Sequence, residues 1–155
     1  MRRSETKRDN PDLGILAAGL LFGIQRELFA RLAGDGFGDL RPQHGAILAF
    51  LDAEGSRATD LARRSGQHKQ VVGKLVDELE VLGYLRREPD PADRRAKLVL
   101  PTERGLAQME HSDAILADIE RRHAHELGAD GYAAFKDAFT KVVDDQRHQS
   151  SEGSS

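Results

Sequence analysis

The chain has 155 residues, of which 39% are hydrophobic and 32% are charged, and it contains no cysteine. This length suits one domain with a real core, or a small binding module set in helices that build a larger assembly. The missing cysteines exclude disulfides, zinc thiolate sites and thiol-based redox sensing, and they fit a cytoplasmic protein. The net charge is -3, yet residues 57–104 carry 11 Lys and Arg against 8 Asp and Glu, while residues 105–155 carry 5 against 10. Such a basic middle is typical of a protein that presents one face to phosphates.

The first part of the chain predicts a flexible arm and then a long helix. Residues 1–10 lack any hydrophobic residue after Met1, which favours disorder. Asp12, just after Pro11, can cap a helix that runs to about Ala33. Apolar residues in this helix recur every three or four positions, on a stripe wide enough to need a large partner surface. They are Leu13, Leu16, Ala17, Leu20, Leu21, Ile24, Leu28, Phe29 and Leu32.

The apolar run at residues 15–24 follows several basic residues and superficially resembles a secretory signal. Asp9 and Asp12 interrupt the approach to it, and polar residues follow directly at 25–27. The run is also shorter than the roughly 20 residues that span a bilayer. We therefore expect a buried helix and no association with a membrane.

A glycine-rich stretch at residues 34–38 breaks the first helix. Pro42 then begins a second helix that ends before Gly55. The core face of this second helix is predicted to consist of Ile47, Leu48 and Leu51.

Two further helices are separated by a three-residue turn. Residues 59–64 predict a short helix, residues 65–67 a turn, and residues 68–82 a longer helix that ends at Gly83. The inward residues are predicted to be Leu61, Ala62, Val72, Leu75, Val76 and Leu79.

This arrangement is typical of a helix-turn-helix, whose second helix enters the major groove of DNA. An ordinary helical hairpin in a bundle would show the same short pattern. The polar face of the second helix favours DNA, because its first residues can reach base edges and the small Gly73 lets the backbone approach closely. Asp77 and Glu78, further along, should point away from phosphate. The candidate DNA-binding residues in this region are Gln67, His68, Lys69, Gln70, Gly73 and Lys74.

Residues 84–87 and 97–100 predict two short strands. The polar loop between them, residues 88–96, carries Arg94 and Arg95, which we place at the tip of a hairpin. Arginines at such a tip can enter the minor groove or grip flanking phosphates. A solvated surface turn is the alternative, and the position directly after a helix-turn-helix disfavours it.

The last third of the chain predicts two more helices. Thr102 can cap a long helix to about Leu127, and Asp130 can cap a last helix to about Gln149. Residues 150–155 are polar and of low complexity, which predicts a flexible tail. The apolar stripes of the two helices are Leu106, Met109, Leu116 and Ile119, and Phe135, Ala138, Phe139, Val142 and Val143.

At the hairpin the sequence resembles the MarR family of bacterial transcription regulators. The resemblance runs from about residue 13 to residue 143. It is carried by Leu61-Ala62-Arg63, Leu75-Val76-Asp77-Glu78-Leu79-Glu80, Leu82-Gly83-Tyr84 and Asp93-Arg94-Arg95-Ala96-Lys97. The family's wing signature is Asp-x-Arg followed, after five residues, by Leu-Thr. Asp93, Arg95 and Thr102 match it, whereas Pro101 replaces the leucine and removes one backbone donor, which puts the strand pairing there in doubt.

The resemblance implies a mainly helical fold with a small β-hairpin wing. Residues 11–149 would form a single domain, in which a winged helix-turn-helix (42–101) joins dimerisation helices (12–33 and 102–149). It further implies a cytoplasmic homodimer whose first and last helices interlock, bound to double-stranded DNA at an inverted repeat, acting mostly as a repressor. Arg95 would be the minor-groove arginine, and Asp93 the carboxylate that orients it.

The resemblance also implies release from DNA by a small, often aromatic or phenolic, ligand. This effector would bind in a crevice lined from the first, second and fifth helices.

Two alternatives stay open at this point. A metal-responsive regulator on the same scaffold could use His44, His111 or His123 together with carboxylates. A helical interaction protein that does not bind DNA is the other alternative, and the wing arginines argue against it. Catalysis has less support, because the sequence contains no cysteine nucleophile, Gly-x-Ser-x-Gly elbow, His-Glu-x-x-His pair or phosphate-binding glycine loop. We therefore predict no enzyme, no cofactor and no metal site.

Overall fold

The computed structural model of the protein describes residues 3–153. The chain divides into two compact units, whose boundary falls inside one long helix, between Ile115 and Leu116. The first unit contains five helices, a small sheet and the first part of the long helix. The second unit contains the rest of the long helix and the last helix. Helices therefore dominate, and the small sheet is the predicted wing.

The first helix, α1 (Arg3–Asp9), buries no residue. It occupies most of the predicted flexible arm, of which residues 1 and 2 lie outside the described residues. The backbone of residues 3–9 is thus helical, and the mobility of this arm stays a prediction. The next helix, α2 (Leu13–Leu32), begins as predicted, since the carboxylate of Asp12 accepts a hydrogen bond from the backbone N–H of Ile15 at 3.0 Å.

The apolar face of α2 is exposed, so the expectation of a buried helix is wrong for the single chain. Leu32 alone is buried along α2, whereas Leu16 and Phe22 are 56% and 59% exposed. The stripe is exposed over residues 13–22, whereas Ile24, Leu28 and Phe29 further along are partly buried. By length and composition alone, the 25 residues Leu13–Phe37 could also cross a membrane.

The second predicted helix is shorter than expected. After a π-helical turn (Ala33–Phe37), it consists of a 3-10 turn (Pro42–His44) and α3 (Gly45–Leu48). It ends well before Gly55 because the backbone N–H of Asp52 donates to the hydroxyl of Ser56, at 3.0 Å, in place of a helical carbonyl. The predicted core face is confirmed, since its three residues are buried: Ile47, Leu48 and Leu51.

The helix-turn-helix is confirmed as α4 (Ala58–Ser65) and α5 (Lys69–Val81). Gly66 in the turn has φ 71°, the left-handed region that glycine adopts without strain. Gly83 follows α5 with φ 86° and ends the helix, as predicted. All the predicted inward residues are buried: Leu61, Ala62, Val72, Leu75, Val76 and Leu79.

The wing is part of a three-stranded antiparallel sheet in the order β1 (Ser56–Arg57), β3 (Asp93–Pro101), β2 (Leu85–Asp90). Strand β1 is too short for a period and was not predicted. Strands β2 and β3 extend through most of the segment that was predicted as a loop. The sequence did not indicate this length, because a ribbon exposed on both faces has no alternating apolar pattern. The turn is only Pro91 and Ala92. Arg94 and Arg95 therefore lie at the start of β3, just past the tip and not on it.

Pro101 does not disturb the strand pairing. It is the last residue of β3 and pairs with Leu85, where a missing donor does little harm. The backbone N–H of Thr102 donates to the carbonyl of Tyr84 at 2.9 Å and continues the ladder. The hydroxyl of Thr102 then accepts from the N–H of Gly105 at 3.1 Å, so Thr102 caps α6 (Glu103–Leu127) as predicted.

In the second unit, α7 (Ala129–Glu152) begins two residues earlier than predicted. Gly128, with φ 77°, is the cap residue, whereas Asp130 lies inside the first turn. Glycine takes this position because the chain must reverse there in a left-handed conformation. The helix also continues into the predicted tail, of which residues 154 and 155 lie outside the described residues.

Tyr132 on α7 ties the two helices of the second unit together. Its hydroxyl donates to the carboxylate of Glu120 on α6 at 2.5 Å, and Lys136 binds the same oxygen at 2.5 Å. Burial and the hydrogen bond to Glu120 raise the pKa of Tyr132 to about 12. The bonds from Lys136 and Tyr132 lower the pKa of Glu120.

Candidate nucleic-acid interface

The start of α5 presents a row of polar side chains to solvent. His68, with an extended backbone, precedes the first turn of the helix. Gly73 is partly buried, and a methyl group built on it would meet no atom within 4 Å, so the backbone is open to approach there. The other predicted DNA-binding residues of this region are exposed: Gln67, His68, Lys69, Gln70 and Lys74.

The acidic residues of α5 lie in its second half and are engaged elsewhere. Arg87 on β2 binds Asp77 at 2.7 Å and Glu80 at 3.2 Å. Glu78 binds the ring of His44 at 2.9 Å. That Asp77 and Glu78 point away from phosphate stays a prediction. The first turn of α5 thus carries Lys69 and Gln70 and contains no carboxylate.

His44 has a structural place in the fold. It is 2% exposed, and its Nδ1 accepts the backbone N–H of Arg41 at 3.0 Å, which leaves Nε2 to donate to the carboxylate of Glu78. His111 instead binds Asp35, at 3.1 Å. Among residues 3–153, no three His, Asp or Glu side chains come together as a metal site would require.

Arg95 on the wing is almost fully open to solvent. Its side chain is 97% exposed, and its Nε lies 3.8 Å from Oδ1 of Asp93. The same carboxylate oxygen accepts the backbone N–H of Arg95 at 3.1 Å. Asp93 thus fixes the backbone of Arg95 and holds a long ion pair with its side chain. Arg94 is exposed beside it.

Sequence reasoning missed a second ion pair that braces the wing. Arg57 on β1 reaches Oδ2 of Asp90, at 2.7 Å from Nε and 2.6 Å from Nη2. Oδ1 of Asp90 accepts the backbone N–H of Ala92 at 2.9 Å, which closes the turn at the wing tip. The bond from Ala92 and the one from Arg57 together lower the pKa of Asp90. The turn-forming residues Asp90 and Pro91 could be recognised in the sequence. The partner of Asp90, Arg57 on the unpredicted β1, could not.

The base of the wing is held by a second unpredicted cluster. The hydroxyl of Tyr84 donates to Asp39 at 2.5 Å, and the guanidinium of Arg104 lies 4.2 Å from the centre of the Tyr84 ring. Arg104 also donates to Asp39 at 3.1 Å and to the carbonyl of Leu82 at 2.6 Å. Burial and the bond to Asp39 raise the pKa of Tyr84. Burial alone would raise the pKa of Asp39, but the bonds from Tyr84 and Arg104 outweigh it and lower that pKa.

A pocket of about 650 Å³ lies between α2, α3 and the start of α5. The predicted crevice was to be lined from the first, second and fifth helices. The first two, α2 and the segment around α3, do line this pocket, but the fifth, α6, does not. Helix α5 takes its place through Val71 and Leu75. The lining residues are Leu21, Ile24, Gln25, Leu28, Phe29, Pro42, Gln43, Gly45, Ala46, Ala49, Phe50, Ser65, Gln67, Val71 and Leu75.

Comparison with known proteins supports this geometry. Residues 39–96 match the MarR family. The uncharacterised HTH-type transcriptional regulator YcgE of Bacillus subtilis (strain 168) is 32% identical over 79 residues, which are 51% of this chain and 51% of that protein. The chain spans about half the length of the curated relatives that it matches.

Solved structures extend the likeness to most of the chain. CouR from Rhodococcus jostii RHA1 bound to p-coumaroyl-CoA has a TM-score of 0.69 at 25% identity, over 85% of this chain and 92% of that one. The repressor CouR bound to a 23-mer DNA duplex shares the fold, with a TM-score of 0.71 at 23% identity over 92% and 98% of the two chains. The winged helix-turn-helix therefore matches the MarR family, and most of the chain shares the fold of the solved regulator CouR.

Proposed function

We propose that this protein is a dimeric transcription regulator that binds an inverted-repeat DNA site. The two copies of α5 would enter successive major grooves, with their centres about 10 base pairs apart, and the wings would reach the flanking minor grooves. As a regulator it would be a DNA-binding protein and not an enzyme, and it would work in the cytoplasm, where bacterial DNA lies. Repression by occlusion of a promoter is the mode that we expect.

The observation that carries this proposal is the pairing of two exposed basic features on one winged helix-turn-helix. The start of α5 offers exposed lysines and amides, and the wing offers Arg95 with 97% of its side chain exposed. Amides and cations are the groups that read base edges in the major groove. An exposed arginine is attracted to a narrow, strongly negative minor groove.

Each predicted contact has a distinct role in the proposed complex. Lys69, Gln70 and Lys74 would face bases and phosphates of the major groove, with Gln67 and His68 at its edge. Gly73 would permit close approach of the backbone. On the wing, Arg95 would enter the minor groove, Arg94 would bind phosphate, and Asp93 would orient Arg95 through its backbone bond and ion pair.

The exposed apolar surface supports a homodimer. In the first unit, α2 leaves Leu13, Leu16 and Leu21 more than half exposed. In the second unit, Phe135 and Val142 on α7 are each 45% exposed. Surfaces of this kind on a soluble protein mark contacts with a partner. A two-fold dimer would cover them and would match the symmetry of an inverted repeat.

A small molecule that releases the DNA is the proposed signal. The pocket between α2, α3 and the start of α5, which we call the pocket beneath α5, has the size of a small-molecule site. Such sites usually have a volume of about 300–1,000 Å³. CouR has been crystallised with p-coumaroyl-CoA, so a solved member of this fold holds an aromatic ligand. We infer a similar control here, in which the ligand favours a spacing of the recognition helices that does not fit the operator.

DNase I footprinting on the intergenic DNA upstream of the protein's own gene tests this proposal. We expect two protected half-sites about 10 base pairs apart, with protected flanks that disappear in the Arg95→Ala variant. Arg63→Ala is the control, since Arg63 is an exposed arginine of α4 that pairs with Asp60 at 3.1 Å. Protection without symmetry, or flanks that persist in Arg95→Ala, would contradict the proposed arrangement.

A further inference from the structure

The chemistry of the pocket beneath α5 constrains what it can hold. None of the described residues that line it carries a charge. Apart from Ser65, the polar groups on its wall are the side-chain amides of Gln25, Gln43 and Gln67, and the other lining residues are apolar or glycine. An anion that entered this pocket would lose its hydration and meet no cation, which is strongly unfavourable.

We propose that the pocket binds an uncharged aromatic molecule with one or more neutral hydrogen-bonding groups, and that it rejects the corresponding anion. The proposal rests on the function proposed above and specifies the effector of that regulator. Amide and hydroxyl side chains can donate to a carbonyl and accept from a hydroxyl, so a neutral phenol, amide or ester would find partners there. Its ring would replace water against Leu28, Phe29 and Phe50.

The position of the pocket explains how such a molecule would act on DNA binding. Val71 and Leu75 face the pocket from the first turns of α5, while Gln70 and Lys74, adjacent in sequence, are exposed. Gln67 lines the pocket and belongs to the predicted DNA-binding row. A molecule that occupies the space between α2 and α5 therefore contacts the segment that carries the predicted DNA-binding residues. The bound molecule would stabilise the position of α5 in which the pocket is wider.

Two fluorescent probes with one ring framework test the proposal on the full chain without DNA. N-phenyl-1-naphthylamine is neutral at pH 7, and 8-anilino-1-naphthalenesulfonate is the same framework with one sulfonate. We expect the neutral probe to bind at least about tenfold more tightly. Equal or tighter binding of the sulfonate would overturn the proposal. Binding of neither probe would also overturn it and would indicate that the second copy of the chain fills the pocket.

A matched pair of variants locates the probe. Ala46→Phe places a ring inside the pocket and should weaken binding of the neutral probe by about tenfold or more. Ala53→Phe, at an exposed position outside the lining, should leave it unchanged. Circular dichroism shows whether each variant is folded. If Ala46→Phe does not fold, Ala49→Phe replaces it as the pocket variant, because Ala49 lines the pocket at an exposed position. Unchanged binding in the folded pocket variant would refute the site. Because no DNA is present, the result is independent of whether the protein binds an operator.

Discussion

The guanidinium of Arg57 and the carboxylate of Asp90 form an ion pair that joins the shortest strand of the sheet to the turn at the wing tip. The closest approach is 2.6 Å, and the side chain of Asp90 is 8% exposed. The other carboxylate oxygen of Asp90 accepts a hydrogen bond from the backbone N–H of Ala92. The pair therefore fixes the end of the hairpin that carries Arg94 and Arg95, and it links that end to the residue that precedes α4.

Loss of this pair should weaken DNA binding without touching a predicted DNA contact. In Arg57→Ala, Asp90 keeps its turn but loses its anchor, so the wing becomes more mobile and binding costs more ordering entropy. We expect weaker operator affinity, with a smaller loss than in Arg95→Ala, measured by fluorescence anisotropy. Arg86→Ala is the control, since Arg86 pairs with Glu88 on the exposed face of the wing at 3.1 Å. Equal losses in Arg57→Ala and Arg86→Ala would mean that charge alone, and not the brace, sets the affinity.

Gly105 should tolerate no side chain. A Cβ built there would overlap the carbonyl oxygen of Tyr84 and lie 3.2 Å from Pro101. Gly105→Ala must push α6 away from the base of the wing, and we expect a loss of about 1–3 kcal/mol in the free energy of unfolding. Gly73→Ala is the control, because its methyl group meets open space inside a helix and should stabilise the fold by up to about 1 kcal/mol. Denaturant unfolding of both variants gives the comparison, and equal stability would refute the close approach.

The exposed face of α2 should hold the dimer together. Leu16→Glu places a charge in that face, and we expect the dimer to dissociate, because a carboxylate buried there would have no partner. Analytical ultracentrifugation gives the mass in solution. Val81→Glu, at a valine that is 87% exposed on α5, should remain dimeric. A wild-type protein that is monomeric, or found in the membrane fraction, would contradict the use of α2 for dimerisation.

Both tyrosines of the chain should ionise only at high pH. The raised pKa of Tyr84 and that of Tyr132, about 12, mean that the neutral phenol is favoured in the folded state. Their contribution to stability is thus complete below about pH 10, where an unfolded tyrosine ionises, and is lost as the pH rises through the folded pKa. Absorbance at 295 nm should show no ionisation near pH 10 in the folded protein. A titration near pH 10 that disappears in Tyr132→Phe would show that the Glu120 bond is absent.

The helix-turn-helix was predictable because its signal is local. Val72, Leu75, Val76 and Leu79 repeat with the helical period, and Gly66 and Gly83 mark its turn and its end. The length of the wing was not predictable, because both faces of the ribbon meet solvent and no apolar alternation marks its strands.

The residues that brace the site were harder to predict for a different reason. Arg57 meets Asp90, and Tyr84 meets Asp39, across separations in sequence that no local pattern reveals. The pocket lining was only partly predicted, since the sequence does not say that α5, through Val71, takes the place expected for α6. Contacts of this kind follow from packing, and therefore need the fold.

Affinity for DNA at several salt concentrations tests the central claim most directly. The protein is titrated by gel shift against the intergenic DNA upstream of its own gene and against a scrambled duplex of equal length. We predict a specific complex whose affinity falls steeply as salt rises, because contacts with phosphate release counterions. We also predict that Arg95→Ala weakens that complex by about 1–3 kcal/mol. Weak binding that is equal for the specific and the scrambled DNA would contradict the account.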